Sequence, residues 1–416
     1  MTEPSTAVEA RAAAEAVARA SYGKLVALLA ARMRDVAGAE DALAEAFAAA
    51  LVQWPASGVP TKPEAWLLSV ARRREIDTAR RRRTASDSRK HVELLAEEAE
   101  ARMGDDIPDE RLRLIFACAH PAIDRGVRAP LILQTVLGVD AAAIASAFLV
   151  SPSTMAQRLV RAKARIKEAG IPFRVPERAE LDERLSAVLE AIYAAYSEGW
   201  GDPAGLDSRR ANLAGEAIWL GRLVSALMPD EAEAQSLVAL MLFAEARRGA
   251  RRDPEGDYVR LGDQDASLWD HRMIEEAEAR LMAAGSLSRS DEMGRYQLEA
   301  AIQAVHAARR VLGRTDWPAL VTLYDALALV SASPAVAVSR AVALAAIEGP
   351  LVALGELDRI APDKRLADYQ PYWATRAGLL ADLGETDAAR AAYDRAIGLE
   401  RDPAVRRFLT ARRDAA

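Results

Sequence analysis

The chain has 416 residues, a formal net charge of −6 and an apolar content of 51%. At roughly 100–200 residues per domain, this length corresponds to about two to four domains, and the apolar content excludes a chain that is mainly disordered. The single cysteine, Cys118, excludes a disulfide framework and fits a reducing compartment.

Charge is distributed unevenly along the chain. Residues 1–176 carry a net charge of +4, and residues 177–416 carry a net charge of −10. Glu3, Glu9 and Glu15 interrupt the N-terminus, which excludes a signal peptide, and no apolar run approaches the roughly 18 residues of a membrane span. The sequence therefore predicts a cytoplasmic protein. Abundant alanine, with few glycines and prolines, favours helices.

Two helices are predicted first, over residues 8–34 and 39–54. Apolar side chains four residues apart form one face of the second helix, and Asp41 and Glu45 form another. Two acids on one helix face could bind a basic partner, although the spacing alone is more typical of a solvated face.

A loop rich in proline and glycine follows at residues 55–63, and a third helix begins near Pro63. Residues 72–83 contain seven arginines and two acidic residues, and Trp66 precedes them. A basic helix beside an aromatic ring and a loop suits a nucleic-acid strand whose bases are unstacked. The alternative is a cationic helix face in water.

An acidic linker is predicted over residues 89–109, and a second helical unit follows it. Its helices are expected at residues 111–118, 129–137 and 140–148, with a long last helix that ends near residue 169. Either Ser151 or Ser153 can cap the last helix, because serine side chains accept hydrogen bonds from first-turn amides.

Residues 140–166 give the strongest local signal, a short alanine-rich helix, a tight turn and an amphipathic basic helix. Ala145 is small where two such helices approach each other closely. Such a basic helix fits the major groove, where arginine binds guanine and glutamine binds adenine. The alternative is a solvated helix face. The predicted buried side consists of Ile144, Val150, Met155 and Leu159.

The region from residue 180 to residue 416 is predicted to be wholly helical. From about residue 304, apolar residues recur in three sets, shifted first by 33 and then by 36 residues. A period of about 34 residues is typical of stacked helical hairpins of the tetratricopeptide type. The sets are Ala308, Val311, Leu320, Tyr324 and Leu327; Ala341, Leu344, Ala353, Leu357 and Ile360; and Ala377, Leu380, Ala389, Tyr393 and Ala396.

Signals for catalysis or metal binding are weak. Cys118 and His120 lack the second pair that a tetrahedral metal site needs. The chain has no phosphate-binding glycine loop and no nucleophile elbow. Asp263, Asp265 and Asp270 form a candidate carboxylate site with Glu198, but acidic residues in such a pattern more often cap helices or stabilise turns. We therefore expect no enzyme activity, no metal and no cofactor.

Three segments, in order along the chain, resemble the extracytoplasmic-function group of the sigma-70 family. Residues 39–47 are similar to the region 2 helix that binds RNA polymerase, and residues 63–83 to the helix that reads and melts the −10 element. Residues 142–166 are similar to the region 4 helix-turn-helix that reads the −35 element. The resemblance implies an all-α fold, with a region 2 domain over residues 1–88 and a region 4 domain over residues 110–173.

The same resemblance assigns site residues. It implies polymerase binding by Asp41, Glu45 and Phe47. It implies contact with the −10 element by Trp66, Arg72, Arg73, Arg74, Arg80, Arg81, Arg82 and Arg83. It implies contact with the −35 element by Ser153, Thr154, Gln157, Arg158, Arg161 and Arg165.

The chain after residue 180 is similar to a subgroup with a long tetratricopeptide-like extension implicated in the control of activity. The signature residues are Glu198, Gly199, Trp200, Asp263, Gln264, Asp265 and Trp269. Two positions depart from the pattern: Arg73 stands where asparagine is usual, and Trp200 stands where tyrosine is usual.

The resemblance implies a bacterial RNA polymerase sigma factor, whose partners are the core polymerase, promoter DNA and a regulatory protein such as an anti-sigma factor. The residues alone leave an alternative. A helix-turn-helix regulator, not a sigma factor, could carry the same DNA-binding helix and use the repeats to bind an effector or a protein.

Overall fold

The computed structural model describes residues 5–81, 110–148, 150–200, 208–288 and 293–416. These residues form helices and no β-strand, so the predicted all-α fold is confirmed; a single isolated bridge joins Arg252 and Tyr258. Within the same ranges, no helix combines the length and the apolar character needed to cross a membrane. The predicted acidic linker lies outside the described residues.

The chain divides into two compact units, residues 1–195 and 196–416. The described residues of the first unit form seven helices and most of an eighth, which are α1 (Ser5–Met33), α2 (Val36–Ser57), α3 (Pro63–Arg81), α4 (Arg111–Cys118), α5 (Arg125–Leu137), α6 (Ala141–Ala147), α7 (Pro152–Glu168) and α8 (Arg178–Trp200).

Helices on both sides of the acidic linker pack against each other in the first unit. Helices α1, α2 and α3 form a small bundle, α1 also packs on α4 and α5, and α2 also contacts α7. The approach of α1 to α5 is very close at Gly23, where a Cβ atom would lie 2.0 Å from the carbonyl oxygen of Val136. The helices of the predicted region 2 and region 4 domains thus share one packed unit.

Local signals set the helix ends of this unit. The Asp35 side chain caps α2 by accepting a hydrogen bond from the Gly38 amide, and Gly58 ends that helix with a φ of +83°. Helix α5 begins at Arg125, four residues before its predicted start, because Asp124 caps it by accepting from the Gly126 amide.

The second unit contains ten further helices among its described residues. They are α9 (Ser208–Leu227), α10 (Ala232–Glu245), α11 (His271–Leu287), α12 (Arg295–Leu312), α13 (Trp317–Val330), α14 (Pro334–Glu348), α15 (Pro350–Ile360), α16 (Gln370–Asp382), α17 (Thr386–Leu399) and α18 (Pro403–Ala415). From α12 to α18, each helix packs on the next along the chain.

The prediction of continuous helix is wrong between α10 and α11. This segment forms 3-10 turns at Arg248–Arg251, Leu261–Asp263 and Ala266–Leu268. Pro254 cannot donate an amide hydrogen bond and Gly256 adopts a φ of +83°, so the chain cannot continue as a helix there.

The apolar sets found in the sequence lie largely inside the second unit. Ala353 and Leu357 of the second set are buried between α14 and α16, and Ala389, Tyr393 and Ala396 of the third set are buried between α16 and α18. One member of the first set departs from the pattern. Val311 is 74% exposed, because it lies in the last turn of α12, which ends at left-handed Gly313.

Candidate functional site

Helix α7 presents a basic polar face to solvent. Its buried stripe is Met155, Leu159, Ala162 and Ile166. The side chains predicted to point outward are all exposed; they are Ser153, Thr154, Gln157, Arg158, Arg161 and Arg165. Arg158, Arg161 and Arg165 also line an open cavity of about 460 Å³ against residues 122–127. No carboxylate in the described ranges pairs with these three arginines, so their charge faces solvent.

The start of α7 uses one of the two predicted capping residues. Of the two predicted caps, Ser151 is the one used: its hydroxyl accepts a hydrogen bond from the Thr154 amide at 3.2 Å. Asp140 caps α6 in the same way, by accepting from two amides of its first turn. Ile144 and Ala145 are buried as expected, whereas Val150 is only half-buried.

The flank of α7 next to its basic face contacts α2 through two ion pairs that sequence reasoning missed. Lys163 Nζ lies 2.5 Å from Glu40 Oε2, and Lys167 Nζ lies 2.5 Å from Asp35 Oδ2. Burial raises the pKa of the Glu40 carboxyl, and Lys163 opposes that shift. Burial acts in the same direction on Asp35, but hydrogen bonds from Lys167 and from backbone amides hold the pKa of that carboxyl below its usual value.

The acidic face of α2 is separate from these ion pairs. Asp41 and Glu45 are exposed, and Phe47, on a different face of the same helix, is half-buried. The side chain of Glu40 is directed to α7 while that of its neighbour Asp41 faces solvent, so α7 does not cover the predicted polymerase-binding residues.

Trp66 of α3 is supported by a second indole. It is half-buried, and its ring lies 5.5 Å from that of fully buried Trp54 in an edge-on arrangement. Arg72 and Arg73 are half-buried on the same helix. The side chains of Arg74, Arg80 and Arg81, and the whole of Arg82 and Arg83, lie outside the described residues.

The signature residues of the second unit surround arginines. Arg251 lies 4.3 Å over the Trp200 ring and donates to the Trp200 carbonyl, and Arg248 lies 5.2 Å over the same ring and donates to the Gly199 carbonyl. These contacts are cation–π and hydrogen-bond contacts to neutral groups.

The second half of the signature holds another arginine in the same manner. Arg309 lies 5.1 Å over the Trp269 ring and donates to the Gln264 carbonyl oxygen at 2.8 Å. Asp263 pairs with Arg260, and Asp265 accepts from the Ser267 amide. The two aspartates therefore act as a turn ion pair and a cap; the Glu198 side chain lies outside the described residues.

Neither Cys118 nor the described metal-ligand residue types form a reactive site. Cys118 is fully buried against the Thr135 hydroxyl, and burial raises the pKa of its thiol to about 12, so it stays protonated at neutral pH. Among the described residues, no group of three or more His, Cys, Asp and Glu side chains could hold a metal ion.

Comparison with known proteins gives three matches. Residues 17–85 match the family model for sigma-70 region 2, and residues 184–285 match a family of unknown function, DUF6596. An uncharacterized protein of Rhizobium meliloti (strain 1021) is 41% identical over 370 residues, covering 87% of this chain and 86% of that protein. No solved structure shows a significant match.

Proposed function

We propose that the chain is a sigma factor of the extracytoplasmic-function group, because its residues 17–85 match sigma-70 region 2. Over most of its length the chain belongs to one family with the Rhizobium meliloti protein. It would bind core RNA polymerase and direct initiation at promoters with particular −10 and −35 elements. The observation that carries the proposal is the region 2 match, which covers most of the α1–α3 bundle.

Polymerase binding is proposed for the exposed acidic face of α2. Asp41 and Glu45 are exposed on one face of α2, so a basic partner surface can approach both carboxylates, and half-buried Phe47 on another face can add an apolar contact. Because these side chains are exposed, their main effect should be on the association rate and its salt dependence.

Recognition of the −10 element is proposed for α3 and the loop before it. Trp66, held by Trp54, provides an aromatic ring for an unstacked base. The arginines between residues 72 and 83 would contact phosphates, which position the strand and make the affinity salt-dependent.

Recognition of the −35 element is proposed for α7. Arg158, Arg161 and Gln157 are exposed on its outward face, which suits contacts with base edges in the major groove. The helix-turn-helix function of α6 and α7 and the tetratricopeptide-like character of the second unit are parts of this proposal.

The decisive experiment tests whether the chain binds core RNA polymerase and directs it to specific promoters. The purified chain is assayed for co-purification with core RNA polymerase and for initiation in vitro on a library of promoter sequences. We expect a complex and transcripts from a defined promoter set. Arg161→Ala should weaken binding to those promoters by about 1–3 kcal/mol and relax the base preference within the −35 element, whereas Arg113→Ala, which changes an exposed arginine on α4, should do neither.

Charge reversal on α2 tests the docking face. Asp41→Lys combined with Glu45→Lys should weaken core binding, whereas Glu275→Lys combined with Glu348→Lys, a matched change on α11 and α14, should not. A chain that binds specific DNA but never the core enzyme would instead be a helix-turn-helix regulator.

Deletion of residues 201–416 tests whether the second unit controls activity. Unchanged promoter activity in cells would exclude such control.

A further inference from the structure

A cavity of about 280 Å³ lies within the second unit, between α12, α13, α14 and the 3-10 turn at Leu261–Asp263. Ligand pockets are commonly about 300–1,000 Å³, so this one is suited to a small molecule with a single ring or a short chain. Its apolar walls include Leu320, Trp317 and Val342, and its polar side is formed by His306, Arg309 and Ser339.

The polar side carries positive charge without a matching carboxylate. Arg309 donates to the backbone oxygens of Gly262 and Gln264 and packs on the Trp269 ring, all of them neutral partners. The adjacent Arg310, on the same helix, pairs with Glu278 at 3.1 Å and does not line the cavity. Within the described ranges, no carboxylate pairs with Arg309 and none lines the cavity.

A second guanidinium, that of Arg247, acts electrostatically on His306. Arg247 is only 7% exposed; it donates to the Gln303 side chain, one turn before His306 on α12, while its Nε and Nη1 atoms have no hydrogen-bond partner. Burial, together with the positive charges of Arg247 and Arg309, lowers the pKa of His306 to about 4. Burying a charge without a counter-ion costs desolvation free energy, and an anion bound in the cavity would offset part of that cost.

We propose that this cavity binds a small organic carboxylate, with its carboxylate at Arg309 and His306 and its apolar body against Trp317, Leu320 and Val342. The site lies in the second unit and does not depend on the proposed sigma-factor function. If that function also holds, the ligand gives the second unit a chemical input, so that promoter activity can follow the concentration of a metabolite acid.

The test uses the full chain and two carboxylate probes, benzoate and hexanoate, titrated by isothermal calorimetry. At least one should bind at a single site and at least about tenfold more tightly than its uncharged amide, since a charge-assisted hydrogen bond contributes roughly 1.5–3 kcal/mol. Arg309→Met should weaken binding by at least about tenfold, and the matched variant Arg310→Met should leave it within about twofold.

A second variant separates loss of binding from loss of folding. Val342 is partly exposed at the cavity wall, and Val342→Trp fills the cavity without changing any charge. It should abolish binding while the helical circular dichroism is retained. The proposal is overturned if neither acid binds saturably, if acid and amide bind equally, or if Arg310→Met is as damaging as Arg309→Met.

Discussion

The ion pair of Glu40 and Lys163 is the most enclosed charged contact between α2 and α7. The two side chains are 17% and 12% exposed. Removing one partner of such a pair leaves the other charge desolvated, which costs far more than the loss of a surface ion pair. Glu40 therefore controls how firmly α7 is held.

Glu40→Gln should lower the free energy of unfolding by about 2–3 kcal/mol, because Lys163 then stays buried without a counter-charge. Urea unfolding followed by circular dichroism measures the change. Asp41→Asn, one residue away and exposed, should change it by less than about 0.5 kcal/mol. Equal losses of unfolding free energy in the two variants would contradict a buried ion pair between Glu40 and Lys163. Replacing both Glu40 and Lys163 with methionine should recover most of the loss.

His306 makes a pH-dependent contribution with a definite sign. Its folded pKa of about 4 lies below the ordinary value of 6.5, because burial and the charges of Arg247 and Arg309 disfavour protonation. Between these two values the unfolded state binds more protons than the folded one, so stability falls as pH falls from about 6.5 to about 4.

His306→Gln should remove this dependence. The difference in unfolding free energy between the wild type and the variant should change by about 3 kcal/mol between pH 7 and pH 4. Thermal unfolding at a series of pH values measures it, with His271→Gln, an exposed histidine at the start of α11, as the control. A constant difference across this range would contradict the burial of His306.

At the scale of the helix, local sequence was enough to predict most elements. The bounds of α4 match the prediction, and the cap of α7 is one of the two serines expected, because capping and apolar spacing are local properties. The non-helical segment between α10 and α11 is not predicted, although Pro254 and Gly256 mark it, because the surrounding alanine-rich sequence favours helix.

Contacts between distant helices could not be predicted in this way. The sequence identified α2 and α7 as separate candidate surfaces, but nothing in their spacing indicates that Lys163 contacts Glu40. For the same reason the sequence marks Trp66 as an expected DNA contact but does not indicate its neighbour Trp54. It also marks Trp269 as a signature residue but does not indicate the contact of its ring with Arg309.

The close crossing of α1 and α5 depends on Gly23, which has no side chain. Gly23→Ala would place a methyl group 2.0 Å from the Val136 carbonyl oxygen, so the helices must separate. We expect the free energy of unfolding to fall by about 1–3 kcal/mol, as for other overpacked cores. The control is Gly355→Ala on α15, where a methyl group meets open space and should be neutral or stabilising by about 1 kcal/mol. A neutral Gly23→Ala would contradict this packing.

At the scale of the first unit, the contact of α7 with α2 is incompatible with reading two distant promoter elements at once. The −10 and −35 elements are, by their names, about 25 base pairs apart, or roughly 85 Å along B-form DNA. Helices joined by ion pairs of 2.5 Å cannot cover that distance. The proposed function therefore requires α7 to leave α2, and a fully extended linker of 21 residues, at about 70–75 Å, would span most of that distance.

A covalent link between these helices tests this requirement. Glu40→Cys and Lys163→Cys, joined by a short bismaleimide, should retain core polymerase binding through α2 and lose initiation at promoters that need both elements. The same double variant treated with a monofunctional maleimide is the control and should remain active. Full activity of the linked protein would show that α2 and α7 need not separate.

The buried thiol of Cys118 can report how often the packing of the first unit opens. The side chain lies on α4, which packs against α1, and its pKa of about 12 leaves almost no thiolate at neutral pH. An aromatic disulfide reagent can therefore react only when the packing opens, and the chain has no other cysteine to contribute to the signal. The labelling rate of the unmodified protein then measures how often the unit opens, in the free protein and with polymerase bound.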